Sequence, residues 1–197
     1  VSLSRINNLI LAAIILLNAY VIIAPFAPSL LFRLEINGKK QHQLEQLINK
    51  GSVSDQNSND PVSGNSVVIP ALLLNQPILE GSVANQYSTL NQGIWRWPMS
   101  STPNQGGNTV LIGHRFTYTI PKGVFYYLNK LRLGDNIGVF WNKQKYLYQV
   151  TSISTVSPND TSIEQNTKEP ELTLFTCTPL LLPKDRLVIV ASLEGKN

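Results

Sequence analysis

The chain has 197 residues, 16 Lys+Arg against 12 Asp+Glu, two His and a single Cys. That length allows one ordinary domain with an appendage, and a hydrophobic share of 43% excludes wholesale disorder. One Cys excludes an intramolecular disulfide and, with only two His, a Cys-rich zinc site; a net charge of +4 whose longest basic run is Lys39-Lys40 leaves no nucleic-acid footprint.

From Ile6 to Phe32 no residue is charged, and Leu9 to Ile23 is dense in Leu, Ile, Val and Ala with Asn18 as the polar interruption. About 20 apolar residues at 1.5 Å rise cross a hydrocarbon core of about 30 Å, so residues 1–33 are read as a membrane anchor. Pro25 and Pro28 end or bend the helix near the interface. A cleaved signal peptide calls for small residues at −3 and −1; Ala24-Pro-Phe-Ala27 has the wrong spacing. Arg5 precedes the span while Arg33, Lys39 and Lys40 follow it, so counting positive charge alone favours a cytoplasmic C-terminus. Residues 34–66 read as a short helix and a tether: Leu34, Leu44, Leu47 and Ile48 give Glu35–Lys50 a partial apolar stripe with Gly51 as its stop, and Gly51 to Ser66 is too polar to offset its ordering entropy.

The composition changes at Val67. VVIPALLL (Val67 to Leu74) reads as a buried strand run and Pro77-Ile78-Leu79 begins another. The turn cluster Ser101 to Asn108 leads into a strand at Thr109–Gly113, and Phe125, Leu128 and Leu131 give Pro121–Leu131 the spacing of a short helix. A strand at Asn136–Trp141, a reversal at Asn142-Lys143 and a return strand at Lys145–Val156 follow, with Tyr146, Tyr148 and Val150 on one face and Leu147, Gln149 and Thr151 on the other. Glu171–Cys177 and Arg186–Leu193 are the last strands. Seven to eight short strands with one or two short helices make residues 67–197 a mainly β domain, a compact barrel or sandwich.

Two strand ends carry reactive side chains: Cys177 in TLFTCTP and His114 in VLIGHRF. Alone, each has an ordinary structural explanation, a small buried hydrophobe and a hydrogen-bonded edge residue. His42 lies in a polar segment and reads as solvated; Asp160, Glu164, Glu169 and Glu171 read as a solvated acidic face rather than a metal site. Trp95 and Trp97 are either groove or core residues.

Taken in order, Gly113-His114-Arg115, Phe125-x-x-Leu128-x-x-Leu131-x-x-Gly134-Asp135, Thr173-Leu-x-Thr-Cys177-Thr-Pro179 and Asp185-Arg186-Leu-Val resemble the sortases, membrane-anchored cysteine transpeptidases of bacterial surfaces. The resemblance covers essentially all of Val67 to Asn197, and the nine-residue step from Cys177 to Arg186 resembles the pilin-assembling (class C) branch. It implies a closed sortase-type β-barrel behind a transmembrane helix; the residues themselves suggest no cofactor and no metal site. It also implies three roles: Cys177 as nucleophile, His114 as the imidazole that activates it and hands a proton to the leaving amine, and Arg186 as oxyanion or substrate donor. Each role suits its chemistry: a thiolate is the reactive form of Cys, a neighbouring imidazolium lowers a thiol pKa, and a guanidinium keeps its planar donors charged. Arg115 competes with Arg186, but its place beside His114 turns it to the other face. Two departures from the branch stand out. Leu180-Leu181-Leu182-Pro183 replaces an aromatic and a glycine after Cys-Thr-Pro, and Asp60-Pro61-Val62 is a lid motif without its ring, read here as linker.

The expected activity is cleavage of an LPxTG-like sorting signal on a secreted protein through a Cys177 thioester. The acyl group then passes to an amine of the cell wall or to a pilin Lys, by a single-pass membrane protein with its catalytic domain outside the cytoplasm. The alternative is a non-catalytic, membrane-tethered β-domain that binds peptides at the envelope. No nucleic-acid partner is expected.

Overall fold

In the computed structural model, which describes residues 2–28, 32, 38–49, 64–120, 122–180 and 182–194, the apolar N-terminal run is one helix, α1 (Leu3–Ile23), with no buried residue. It stops where Pro25 would have to supply an N–H it lacks; the last helical bond is Ala24 N–H to the Tyr20 carbonyl. A second helix, α2 (Gly38–Asn49), lays Leu44 and Ile48, one turn apart, onto Val68 and Phe140 of the barrel wall. Lys145 Nζ closes its end by donating to the Ile48 carbonyl at 2.7 Å. Gly51 and the tether through residue 63 lie outside the described residues.

Eight strands among the described residues form a closed barrel: β1 (Ser66–Ile69), β2 (Leu74–Leu79), β3 (Ile94–Arg96), β4 (Asn108–Ile112), β5 (Asn136–Trp141), β6 (Gln144–Val156), β7 (Glu171–Thr178) and β8 (Asp185–Leu193). Around the barrel the order is β1-β2-β3-β4-β7-β8-β6-β5, with β5 returning to β1. Two neighbour pairs, β2–β3 and β4–β7, are parallel; the rest are antiparallel. The interior is filled from alternate positions, including Tyr146, Tyr148 and Val150 of β6 and Leu172 and Leu174 of β7. Asn142 and Lys143, both at positive φ, make the expected β5–β6 reversal.

Three readings of the sequence change. The run Val67–Leu74 is two strands: Pro70 opens a 3-10 turn, Leu73 takes a left-handed φ of 53°, and the chain doubles back so that Ile69 faces Leu74. Ser66, assigned to the tether, is the buried first residue of β1. Residues 122–131 hold turns and a 3-10 segment, Leu128–Lys130, instead of a helix; Phe125, Leu128 and Leu131 still point into the core. The domain's α-helix is α3 (Gln86–Gln92), whose sequence QYSTLNQ buries only Thr89 and so carries no apolar periodicity to read.

Candidate active site

Alternation along β7 sends Leu172 and Leu174 inward and Phe175 outward, where it packs with Val110 of β4 and Val188 of β8. Cys177 continues the outward row, half-buried. In β8 the residue paired with Cys177 is Arg186, and its Nη1 donates to the Cys177 sulfur at 3.4 Å. On the other flank β4 runs parallel to β7 with Ile112 opposite Phe175. The last bond of this ladder is Gly113 N–H to the Phe175 carbonyl at 3.4 Å, and His114 is the next residue, past the end of β4. Register pairs Cys177 with Arg186, and His114 follows two residues after the end of the neighbouring β4. Among the described residues the sulfur's hydrogen bond comes from Arg186, and none joins it to the His114 ring.

Local packing explains why the row sits at this strand end. A Cβ on Gly113 would fall 2.6–2.8 Å from Val124 and the Phe125 ring, so only glycine lets the following segment close over the barrel here. A Cβ on Gly123 would fall 2.2 Å from the His114 carbonyl oxygen. That carbonyl accepts from Phe125 N–H at 3.0 Å, and Gly123 N–H donates to the Arg115 carbonyl at 3.1 Å. Buried Thr176 donates its hydroxyl to the Gly113 carbonyl at 2.7 Å, fixing β4 against β7 beside the row.

Burial lowers the pKa of His114, which favours the neutral imidazole. Arg115 reaches across to Thr178, donating from Nη1 to Oγ1 at 2.8 Å, and alternation turns Thr178 away from Cys177. Desolvation lowers the Arg115 pKa while nearby Tyr126 opposes the shift. His114 also lines a cavity of about 380 Å³ with Leu72, Gln76, Lys122 and Val124.

The β6–β7 loop crosses the same outer face. Asn108 holds it by donating from Nδ2 to the Ile163 and Gln165 carbonyls at 3.2 and 3.0 Å, while its Oδ1 accepts from buried Thr173 at 2.8 Å. Ile163 and Trp97 pack onto Val110, Phe175 and Val188. Glu164 is half-buried instead of solvated: burial raises its pKa and the Arg186 charge pulls it back down. Asp160 and Glu171 are half-buried as well and Glu169 is the exposed member; the Asp160 carboxylate is held below the usual range by the hydroxyl and N–H of Ser162. No group of three or more metal-ligating side chains occurs among the described residues. Trp95 is core at 1% exposure, edge-on to Trp97 at 5.4 Å. His42 is exposed on α2, its ring bonded to Gln46. Asp60-Pro61-Val62 lies outside the described residues. Sequence reading missed Asn108, Gly123 and Glu164. The one signal for them was that Asn108 closes a turn cluster and Gly123 stands just ahead of Phe125.

A barrel presenting a thiol in contact with a guanidinium, with a histidine just past the end of the neighbouring strand, is the equipment of a thiol-dependent acyl-transfer enzyme. The sortase domain model matches residues 67–194. Sortase D of Bacillus subtilis (strain 168) is 31% identical over 147 residues, covering 74% of this chain and 67% of that protein. Sortase A of Bacillus anthracis is 28% identical over 133 residues, covering 66% and 59%. Among solved structures, sortase C1 of GBS Pilus Island 1 superposes with a TM-score of 0.58 at 26% identity, covering 68% of this chain and 64% of that one. The chain therefore spans less than two thirds of the latter two relatives. It belongs to the sortase family of cysteine transpeptidases.

Proposed function

We propose that this chain is a membrane-tethered sortase in which Cys177 attacks the sorting signal of a secreted protein, His114 moves the protons and Arg186 stabilises developing negative charge. The observation that carries the reading is the Arg186 Nη1 to Cys177 Sγ contact at 3.4 Å; that His114 follows directly after the strand flanking Cys177 on the other side supports it.

The thiolate adds to the scissile carbonyl carbon, and the oxyanion that forms meets the guanidinium donors of Arg186. Collapse breaks the C–N bond, His114 in its protonated form gives the proton to the departing amine, and a thioester to Cys177 remains. An acceptor amine then attacks the thioester, neutral His114 takes its proton, and the thiolate leaves. Burial favours the neutral ring of His114 in the resting site, so its protonated form has to be reached in the course of the reaction.

The substrate is an LPxTG-like signal, and the acceptor is an amine of the cell wall or of a pilin. Relatives named sortase D, sortase A and sortase C1 support the family reaction in common and not one branch. The 21-residue α1, apolar and without a buried residue, supports a single-pass anchor; the barrel lies outside the cytoplasm, a reading supported by the sortase reaction, whose acceptors are met there, and taken over the small excess of positive charge after the span.

The test is incubation with a quenched LPxTG-type peptide with and without triglycine, read by mass spectrometry. An acyl adduct on Cys177 that passes to triglycine is expected. Cys177→Ala abolishes it, and Arg186→Lys, which keeps the charge but loses the planar fork, slows adduct formation. A panel of varied sorting peptides that leaves an accessible Cys177 unacylated would overturn the enzymatic reading.

A further inference from the structure

The segment leaving α1 is fastened to the stretch of chain that follows His114. Tyr126 and Tyr127 donate their hydroxyls to the Pro25 and Pro28 carbonyls, and Phe32 stacks on Tyr127 with ring centroids 3.9 Å apart. Higher up, within α1 itself, the Tyr20 hydroxyl donates to the Tyr118 carbonyl at 3.3 Å. Tyr20 lies three residues inside the helix end at Ile23, about 5 Å along the axis at 1.5 Å per residue. The turn bearing Tyr118 is therefore level with the last turn of the apolar helix.

That turn has the chemistry of the bilayer interface. Phe116-Thr-Tyr-Thr-Ile120 carries no charge, and Thr117 and Ile120 close it by exchanging backbone N–H···O bonds at 3.0 and 3.1 Å. Its tip projects Tyr118, 50% exposed, with the Phe116 ring edge-on at 5.1 Å. Aromatic side chains with one apolar and one polar end concentrate at headgroup depth.

We propose that the Phe116–Ile120 turn is a lipid contact: with α1 across the membrane, it seats Phe116 and Tyr118 in the headgroup layer and holds His114, two residues before it, at the bilayer surface. The occupant is the interfacial layer of the membrane, continuous with the layer α1 already crosses. The inference rests on the anchor reading of α1.

The test is site-directed spin labelling of the full chain in vesicles of phosphatidylethanolamine and phosphatidylglycerol. Single cysteines are introduced into a Cys177→Ala background as Tyr118→Cys, Ile15→Cys and Lys143→Cys. Lys143 is in the β5–β6 turn, at the opposite end of β6 from the Val156–Arg186 pairing. The expected result is loss of collisions with a water-soluble nickel chelate and gain of collisions with oxygen at Tyr118→Cys relative to Lys143→Cys, with Ile15→Cys deeper than both. A nitroxide at Tyr118→Cys as open to nickel as the one at Lys143→Cys, with Ile15→Cys deep, overturns the lipid contact and leaves the anchor standing. Low collision rates with both reagents at Tyr118→Cys mean protein packing and also overturn it. Nickel access at Ile15→Cys overturns the anchor reading, and the lipid contact with it.

Discussion

Gly123→Ala tests whether the placement of His114 sets the reaction rate. An alanine Cβ at this position falls 2.2 Å from the His114 carbonyl oxygen, 2.6 Å from its carbonyl carbon and 2.8 Å from the Arg115 carbonyl oxygen, where ordinary contact begins at 3.4 Å. All three atoms are backbone, so no rotamer change relieves the clash, and the strand end has to yield by about 1 Å, a displacement that costs roughly 10²-fold when it falls on catalytic geometry. At about 1.36 kcal/mol per tenfold, that is about 2.7 kcal/mol of lost transition-state stabilisation. Overpacking itself costs about 1–3 kcal/mol of fold stability, so a second variant has to separate the two effects. Gly138→Ala does so: its Cβ meets Ile48 of α2 at 2.4 Å, a clash of similar depth on β5, away from the β4–β7–β8 row. Melting temperature and kcat/KM for a sorting peptide are measured on both at a temperature where each is folded. Both variants melt lower, and only Gly123→Ala loses turnover, about a hundredfold. If Gly123→Ala turns over as well as Gly138→Ala, the His114 backbone is not what aligns the reaction and the proposed role of His114 weakens with it.

Burial holds the folded pKa of His114 below its ordinary 6.5, so the acid limb of kcat/KM is expected below pH 6.5. The same shift bears on stability. As pH falls, the unfolded chain takes the proton first, so the stability tied to neutral His114 is full above pH 6.5 and is lost as pH drops through the folded value; His114→Gln flattens that slope in denaturant titrations. Asn108→Ala leaves the Ile163 and Gln165 carbonyls without their donor and Thr173 without its acceptor; a peptide KM that rises more than kcat falls is expected, and an unchanged KM would detach the β6–β7 loop from binding. Ile48→Ala removes a side chain 2% exposed between α2 and the barrel and is expected to cost about 2–5 kcal/mol by chemical denaturation; a loss near zero would mean that α2 does not stabilise the barrel.

The barrel was legible wherever side chains alternate cleanly. Tyr146, Tyr148 and Val150 against Leu147, Gln149 and Thr151 gave β6 and its inward face directly, because a wall with one buried side imposes a two-residue period. The same rule failed at VVIPALLL, where every residue is apolar and only Pro70 hinted at the fold-back, and at α3, whose polar sequence has no buried stripe. Cys177 and His114 could be named from their strand ends and the family pattern, since reactive side chains sit where strands meet solvent. What joins them could not: Gly113, Gly123 and Thr176 act through close approach across residues far apart in sequence. Glu164 looked like surface charge because the loop's path over Arg186 is set by Asn108 at the far end of the sheet.

A sheet that closes on itself has no first or last strand. Many proteins grip an extended peptide by letting it join a sheet as one more strand, but here β5 already returns to β1, and the edge left open, Thr151–Val156 of β6 beyond its pairing with β5, is separated from Cys177 by β8, so that route does not reach the sulfur. Whatever polypeptide reaches Cys177 must be gripped by side chains and loops laid across the outside of the wall. Preference for one signal over another therefore resides in parts that can be exchanged without disturbing the scaffold, and transplanting the crossing loop between relatives is the natural way to redirect such an enzyme.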